Sequence, residues 1–532
     1  MKTTFKPLGL AAAVAAASAG YAGVVNAQAV LADNSGLGDL AIVPYYTVQK
    51  EFSTGVSIIN TSSTDTQIVK IRLRRAVDSM DALDFNVILS PNDVYTGYVQ
   101  LAGEEIRFYS NDNSCTAPAY TGTDGVNYFT MPDIYRLGAE EGYIEVIGMA
   151  AADSAQPISQ KALHVNGTPV DCARVRDNFF PGADDFDYGT AANLSRKGVI
   201  DSTVSHQLVS AGSSSVVPSS LIDTGNVLKV SYFIKSDASG VEFGNDAVHI
   251  ADFMDGASMT NQRLGIFEGD LQGFDYPDLN GGAVFSAVVD PIMGAGQRGA
   301  YEDLRSAIGG TEVINDWSKN TMEQFSVDTD WVVTTPGQYL MTNLFAYLAS
   351  IAPGSTSDCR GGTPGTNNYD PTTGINCDFR DIPMTAIFTV YDREERGIIV
   401  DEGDLVVSPQ PPGEITVDVL DQEVNVIQWG DFDVLGAEKT ISVPVPDGAG
   451  AGWAKLAVSQ WTGTTQAICD FTGLAAGGQP TIAEPIPTEC TSTDTPVPLI
   501  GFVAWQRNFT DLPAANYGRI VKHSYTVVSS GP

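Results

Sequence analysis

The chain has 532 residues, which is enough for about three or four folding units at roughly 150 residues per domain. Its 64 acidic and 29 basic residues leave a net charge of −35 and an isoelectric point near 4.2, so the surface repels phosphate backbones and argues against a nucleic-acid partner. The mean hydropathy of −0.02 is typical of a globular protein, and 53 glycines with 28 prolines favour many short strands over long helices.

The first 29 residues have the pattern of a secretory signal peptide. Lys2 and Lys6 precede an apolar stretch at residues 8–19, and small side chains follow it. We expect cleavage after Ala27 or Ala29, with Ala32 as a third option. The apolar stretch is too short and too rich in alanine for a membrane anchor. The sequence therefore predicts an exported protein of the cell surface or the extracellular space, with no transmembrane segment.

Residues 30–205 have the alternating apolar pattern, broken by turn residues, of a first β-sandwich. The predicted strands are Leu40–Tyr46, Gly55–Asn60, Gln67–Arg75, Phe85–Leu89, Tyr95–Leu101, Tyr143–Met149 and Gln160–Val165. A serine-rich segment at residues 210–220 then predicts a linker or a long loop.

Residues 206–376 form a loop-rich, acidic middle region with few regular elements. Its predicted elements are a strand at Asn226–Ile234, short helices at Ala300–Ile308 and Val313–Lys319, a strand at Trp331–Thr335 and a strand or helix at Tyr339–Leu348. Whether this region is a domain of its own stays open.

Residues 377–532 return to the strand pattern and predict a second β-sandwich. The predicted strands are Met384–Tyr391, Gly397–Val407, Glu423–Trp429, Thr440–Val445, Trp453–Ser459, Leu499–Phe509 and Arg519–Val528. The sequence thus predicts a mainly β protein of two or more immunoglobulin-like β-sandwich units, with a loop-rich middle region that carries short helices.

Six cysteines in an exported chain predict disulfides rather than a metal or redox site, because none has the spacing of a CxxC motif. Fifteen connectivities are possible for six cysteines. Neighbours in sequence favour the pairs Cys115–Cys172, Cys359–Cys377 and Cys469–Cys490.

Acidic side chains among glycines in the middle region indicate a calcium site, since Ca²⁺ takes six to eight oxygen ligands from flexible loops. The best candidate loop runs from Asp275 to Gly282. The candidate ligands are Glu268, Asp270, Asp275, Asp278 and Asn280. A second candidate loop spans Asp184–Gly189, and the alternative for both is a solvated acidic surface.

A basic stripe stands out in this acidic chain. Strand alternation places Lys70, Arg72 and Arg74 on one face of a strand and sends the apolar residues between them to the core. Such a stripe fits an acidic patch of a neighbouring copy or the phosphates of a cell-surface glycolipid. The alternative is an exposed strand face paired with acidic residues beside it.

No catalytic motif is found in the sequence. The nucleophile elbow, the zinc-protease motif, the phosphate-binding loop and the twelve-residue EF-hand are all missing, and the four histidines lie far apart along the chain. With 64 acidic residues, neighbouring carboxylates arise by chance, so they do not indicate a glycosidase. We expect the protein not to be an enzyme.

Several segments resemble a family of acidic exported surface-layer proteins from marine gammaproteobacteria. The segments are Gly38–Tyr46, Arg74–Asn86, Met131–Tyr135 and Pro498–Trp505. The resemblance covers the whole mature chain and implies a structural role, with self-assembly into a sheet over the outer membrane. It implies no catalytic residues.

Charge leads to a related hypothesis about how such a sheet is held together. Copies with a net charge of −35 repel one another and an anionic outer membrane, so a lattice needs divalent cations between carboxylates or lipopolysaccharide phosphates. The leading hypothesis is therefore a calcium-dependent surface layer. The alternatives are a secreted adhesin or glycan-binding β-sandwich protein and, third, a secreted hydrolase.

Overall fold

The computed structural model describes residues 30–32, 35–77, 79, 81–122, 125–131, 136, 138–176, 221–253, 279, 304–337, 384–397, 414–420, 422–460 and 496–526. Strands make up 58% of the described residues and helices 8%, which confirms the predicted mainly β fold. The strands form two sandwiches that pack against each other.

The first half of the described chain contains fifteen strands and two short helices. In chain order they are β1 (Val30–Leu31), β2 (Leu40–Thr47), β3 (Phe52–Asn60), β4 (Asp65–Arg75), β5 (Asp81–Leu89), β6 (Val94–Ala102), β7 (Glu105–Tyr109), β8 (Cys115–Ala117), β9 (Tyr128–Thr130), β10 (Glu141–Asp153), α1 (Pro157–Ala162), β11 (His164–Val165), β12 (Thr168–Pro169), α2 (Cys172–Arg176), β13 (Leu228–Ser236), β14 (Val241–Asp246) and β15 (Val248–Ala251).

The second half contributes twelve more strands. They are β16 (Gly309–Gly310), β17 (Glu312–Thr321), β18 (Phe325–Thr334), β19 (Met384–Asp392), β20 (Glu414–Leu420), β21 (Val424–Gln428), β22 (Thr440–Ser442), β23 (Ala451–Gln460), β24 (Val497–Pro498), β25 (Ile500–Phe509), β26 (Tyr517–Lys522) and β27 (Ser524–Thr526). Single 3₁₀ turns lie at Gln49–Glu51 and Pro513–Ala515.

The first sandwich packs a seven-stranded sheet on a six-stranded sheet. The first sheet, sheet A, has the order β1-β15-β2-β10-β4-β5-β8, and the second, sheet B, has the order β14-β13-β3-β6-β7-β9. Val69, Ile71 and Leu73 of β4 point into the core between them, as the sequence alternation predicts.

The second sandwich is built around the long strand β17, which belongs to both of its sheets. Its first part pairs with β23 and β27 in sheet F, and residues 319–321 pair with β18 in sheet G. Sheet F continues through β19 to β20, and sheet G has the order β22-β21-β18-β25-β26. Trp317, Trp331 and Trp429 fill the core between the two sheets.

The centre of sheet G is buried on both faces, and this joins the two sandwiches. Trp331 and Val333 of β18 face the core of the second sandwich, whereas Val332 between them belongs to the core of the first. The rings of Tyr232 in β13 and Phe502 in β25 lie 6.2 Å apart across the junction. One hydrophobic core therefore runs from the first sandwich to the outer face of the second.

The strand pairing divides the chain at other positions than the predicted domain boundaries. Strands β13–β15 lie in the sheets of the first sandwich, and β17 and β18 in those of the second, although both groups fall within residues 206–376. The described part of the predicted middle region thus completes its two neighbours, because its strands bury their apolar faces against them.

One predicted element is wrong, and another is right only at its end. Residues 160–165 were expected to be a strand, but α1 covers residues 157–162, where Pro157 occupies the first turn of a helix, and only His164–Val165 form a strand. Residues 313–319 were expected to be a helix and lie in β17. The four-residue spacing of Val313 and Trp317 fits both the helical and the strand period. In the structure this segment is a strand because it pairs with β23. Residues 304–308 are helical, within the predicted helix Ala300–Ile308.

Candidate functional site

The predicted basic stripe is buried. Lys70, Arg72 and Arg74 share one face of β4, as predicted, but their side chains are at most 1% exposed. Ile68, on the same face of β4, packs in a small core with residues of α1 and α2, so this face of sheet A is covered. The prediction of an exposed basic stripe for a glycolipid or a neighbouring copy is therefore wrong.

Acidic side chains of β5 neutralise the first part of the stripe. Lys70 Nζ lies 2.7 Å from Asp84 Oδ2, and Arg72 Nε lies 2.7 Å from Asp81 Oδ2. Arg72 also approaches Asp84 at 3.6 Å through Nη2. These contacts follow from the register, since Lys70 pairs with Asn86 and Arg72 pairs with Asp84 across the two strands.

Glu145 of β10 completes the arrangement from the other side of β4. Its Oε1 accepts a hydrogen bond from Arg74 Nε at 2.8 Å, and its Oε2 lies 3.7 Å from Arg72 Nη1. Arg74 also donates through Nη1 to the carbonyl oxygen of Ser79 at 2.8 Å. Ser79 shares a hydrogen bond with the hydroxyl of Tyr143, whose pKa is raised well above its ordinary value by burial.

We call the six charged residues the buried ion network: Lys70, Arg72, Arg74, Asp81, Asp84 and Glu145. Three cations face three carboxylates, so the network carries no net charge. It ties β4 to both of its neighbours and fixes their register, and its buried position gives solvent no access to the cations.

The predicted calcium ligands cannot be placed. Glu268, Asp270, Asp275, Asp278 and Asn280 lie outside the described residues, and so does the Asp184–Gly189 loop. Within the described ranges, no group of three or more histidine, cysteine, aspartate or glutamate side chains is arranged to hold a metal ion.

One predicted disulfide is confirmed. Cys115 of β8 and Cys172 of α2 are bonded, which attaches the α1–α2 segment to the edge of sheet A. Cys359–Cys377 and Cys469–Cys490 lie outside the described residues, so these two pairs stay predictions.

A loop of the second sandwich contacts the first sandwich. In this junction loop, residues 430–438, Asp433 forms an ion pair with Lys50 of the first sandwich. Asp330 of β18 anchors the loop, because its Oδ2 accepts hydrogen bonds from the backbone N–H groups of Val434 at 2.9 Å and Leu435 at 3.1 Å. Burial raises the pKa of Asp330 well above its usual range.

Glu141, the first residue of β10, is the main partner of the junction loop in the first sandwich. One carboxylate oxygen accepts the backbone N–H of Glu438, and the other accepts the Tyr45 hydroxyl at 3.1 Å. Burial raises the pKa of Glu141 to about 7, against the lowering effect of these two hydrogen bonds. The junction therefore contains a carboxyl group that titrates near neutral pH.

A cavity of about 410 Å³ lies beside this junction, between β13–β15 of the first sandwich and β24–β27 of the second. Its volume is within the range of 300–1,000 Å³ that is typical of small-molecule sites. The apolar part of its wall includes Tyr232, Val248, Ile308, Leu499, Ile500 and Phe502.

Two histidines line the cavity, and both are engaged by the protein. His249 Nε2 accepts the backbone N–H of Val230 at 2.8 Å. His523 Nε2 donates to the carbonyl oxygen of Val332 at 2.9 Å, and its Nδ1 accepts from Asn315 at 3.0 Å. Burial lowers the pKa of each histidine to about 4, so both are neutral at pH 7 and serve as structural groups.

The charged groups of the cavity differ in their partners. Asp246 is neutralised by an ion pair with Lys229. Lys522, at the end of β26, forms no ion pair within the described ranges, and its side chain is exposed at the cavity mouth. The arrangement therefore combines an apolar interior with one uncompensated positive charge at its entrance.

The solvent face of sheet B carries a row of aromatic side chains that the sequence analysis missed. Tyr98 lies opposite Tyr109 in the register, and Tyr109 lies opposite Tyr128, with ring centroids 5.3 and 5.5 Å apart. The ring of Phe233 extends the row, because it lies over Gly55, where a Cβ atom would be only 2.2 Å from it. We call these four rings the aromatic row.

A polar row runs beside the aromatic row on the same face. It consists of the consecutive cross-strand residues Lys235, Ser53, Gln100, Arg107 and Thr130. The guanidinium of Arg107 lies 4.3 Å from the ring centroid of Tyr128. The sequence signal for this face is outward alternation on β6, where Thr96, Tyr98 and Gln100 flank buried positions.

Comparison with protein-family models, with curated proteins and with solved structures finds no match to this chain. No helix among the described residues is long and apolar enough to cross a membrane. The family resemblance of the sequence therefore stays a prediction.

Proposed function

We propose that the protein is a structural component of the cell surface that assembles with copies of itself into a layer over the outer membrane, with divalent cations between the copies. In this proposal the chain is exported by its signal peptide and acts without catalysis. Lipopolysaccharide, bridged through the same cations, is the proposed partner on the membrane side.

The observation that carries the proposal is the excess of 35 negative charges on the chain. The buried ion network is neutral, and the other strongly buried charged residues are mostly carboxylates. A body of this charge repels its own copies, so close packing requires counterions of high charge density. Calcium with carboxylate ligands meets that requirement.

The joined sandwiches support the same proposal. A layer subunit has to keep its shape under lateral load, and the two sandwiches share a core and are linked by the junction loop. Lys50 with Asp433, and Glu141 with the backbone of Glu438, add polar contacts to the apolar junction. These contacts are what a load-bearing subunit needs between its parts.

The test is electron microscopy of the secreted full chain in negative stain. Samples at one ionic strength contain Ca²⁺, Mg²⁺ or EDTA, and we expect ordered two-dimensional sheets with Ca²⁺ that EDTA dissolves and fresh Ca²⁺ restores. Dispersed monomers in all three conditions, at concentrations where a coat protein would assemble, refute the proposal.

A matched pair of variants tests which carboxylates bind the cations. Asp275→Asn with Asp278→Asn removes two charges from the predicted calcium loop, and Asp223→Asn with Asp237→Asn removes two from exposed positions of the first sandwich. We expect the first pair to raise the Ca²⁺ concentration needed for assembly at least tenfold and the second to change it little. Equal effects would show that total charge, and not this loop, governs assembly.

The aromatic row favours a second candidate function, a glycan-binding surface of an adhesin. Sugar rings combine apolar C–H faces with hydroxyl edges, and here half-buried tyrosine rings lie beside a row of hydrogen-bonding side chains. Affinity electrophoresis in gels with galactomannan, hydroxyethylcellulose or soluble chitin tests it.

Tyr109→Ala interrupts the aromatic row, and Tyr391→Ala is the control, because Tyr391 stacks on Trp453 at 4.6 Å on the second sandwich. We expect retardation by at least one of the three polysaccharides, lost in Tyr109→Ala and kept in Tyr391→Ala. No retardation of the unmodified chain in any of the gels rules this candidate out.

A further inference from the structure

We propose that the cavity between the two sandwiches binds a small amphipathic anion, a carboxylate on a single unbranched hydrocarbon chain of about ten carbons. This site is independent of the surface-layer function, because it lies inside one chain and uses none of the predicted calcium ligands.

The size of the cavity sets the length of the ligand. At about 30 Å³ for each water-sized group, a cavity of 410 Å³ has room for roughly a dozen such groups. The walls at Ile308, Leu499 and Phe502 are apolar, so a hydrocarbon chain gains more there than a polar molecule of the same size.

The polar groups of the cavity determine which chemical group the ligand has at its end. His249, His523 and Asp246 are satisfied by the protein, so they offer a ligand little. The Tyr525 hydroxyl is also engaged, since it donates to the carbonyl oxygen of Gly501 at 3.3 Å. The ammonium of Lys522 has no carboxylate partner among the described residues, and this charge selects an anion at the mouth.

The position of Lys522 fits a chain that enters end first. The lysine is exposed on β26, while the apolar wall formed by Ile500 and Phe502 of β25 lies next to it in the sheet, where Phe502 pairs with Lys522. A carboxylate bound by the ammonium therefore places its chain along that wall and into the cavity. A ligand with a cationic end would be repelled at the same point.

Isothermal titration of the full chain with decanoate, and with decanol as the uncharged match, tests the proposal. Lys522→Met removes the charge and keeps the apolar stem, and Ala307→Phe fills the cavity from a half-buried lining position. Lys235→Met is the control, because this lysine lies on sheet B and is paired with Asp237. Urea midpoints of the variants establish that each is folded.

We expect one decanoate per chain, bound at least tenfold more weakly by Lys522→Met and not measurably by Ala307→Phe, with no change in Lys235→Met. Decanol should bind the unmodified chain and Lys522→Met with similar affinity. The proposal is overturned if decanoate shows no saturable binding below its micellar concentration, if Ala307→Phe binds it normally, or if Lys522→Met retains full affinity for it.

Discussion

Glu145→Gln removes one charge from the buried ion network and leaves the shape of the side chain almost unchanged. The carboxylate lies 2.8 Å from Arg74 Nε and 3.7 Å from Arg72 Nη1, and all three side chains are buried. The substitution therefore leaves three buried cations with two carboxylates among the described members of the network.

The expected cost follows from these distances. Treated as point charges in an effective dielectric of about 20, contacts at 2.8 and 3.7 Å are worth about 6 and about 4 kcal/mol. The desolvation of the carboxylate, several kcal/mol, offsets part of this gain in the native protein. Removing one partner of a buried pair typically costs about 3–5 kcal/mol, and we expect Glu145→Gln to fall in this range.

Urea unfolding, followed by tryptophan fluorescence and circular dichroism, measures the cost. At roughly 3 kcal/mol per molar urea, a loss of this size lowers the midpoint by about 1 M or more. Glu105→Gln is the matched control, since Glu105 forms an exposed pair with Arg107 and is expected to cost less than about 1 kcal/mol. Should Glu145→Gln not accumulate, Glu145→Asp, which keeps the charge on a shorter stem, is expected to be intermediate. Equal midpoints for Glu145→Gln and Glu105→Gln would refute the reasoning.

Three further predictions concern the junction, the disulfide and one close backbone contact. The pKa of Glu141 is raised to about 7, so its contribution to stability is fully present below about pH 4.5 and is lost as the pH rises through 7. The loss is at most about 3 kcal/mol. Urea midpoints at pH 5 and pH 8 should therefore differ less in Glu141→Gln than in the unmodified chain. Replacing Cys115 and Cys172 together by serine should cost about 4 kcal/mol for their separation of 57 residues, measured by urea unfolding beside the unmodified chain, and an unchanged midpoint would contradict it. Gly501→Ala places a Cβ atom 2.0 Å from a backbone oxygen of the neighbouring strand and should lower the melting temperature far more than Gly244→Ala, whose Cβ comes no closer than 3.4 Å to any neighbour.

Strand positions were the most predictable part of the fold. Residues 40–46 and 85–89 are short apolar runs bounded by turn residues, and both lie inside strands of sheet A. The helix predicted at residues 313–319 was wrong because an apolar spacing of four matches both the helical and the strand period. Only the pairing with strand β23 distinguishes the two. Local pattern thus predicts a strand where its period is unambiguous.

The burial of the basic stripe could not be predicted in the same way. Alternation tells which residues share a face of β4, and this part of the prediction is confirmed. It does not tell what covers that face. The decisive acid, Glu145, is 71 residues away from Arg74 in sequence, and nothing in the spacing of the two indicates that β10 lies next to β4.

The sequence contains a signal for the junction between the two sandwiches. Trp331, Val332 and Val333 are consecutive apolar residues, and such a run is typical of a strand that is buried on both faces. In the structure, their neighbour Asp330 also points toward the junction loop. The aromatic row had a weaker signal, because its four members come from four strands and meet only through the register.

The shared core limits where a self-assembling lattice could have its contacts. The central strands of sheet G pack one face on their own sandwich and the other on the first, so this part of the sheet is closed to a neighbouring copy. The solvent faces of sheets B and F remain, and that of sheet B carries the aromatic row beside hydrogen-bonding groups. If this face were a lattice contact, Tyr109→Ala would weaken assembly at every Ca²⁺ concentration, whereas loss of a calcium ligand would be offset by more Ca²⁺. The calcium dependence of assembly in Tyr109→Ala therefore separates an aromatic contact between copies from a glycan-binding surface, which should leave assembly unchanged.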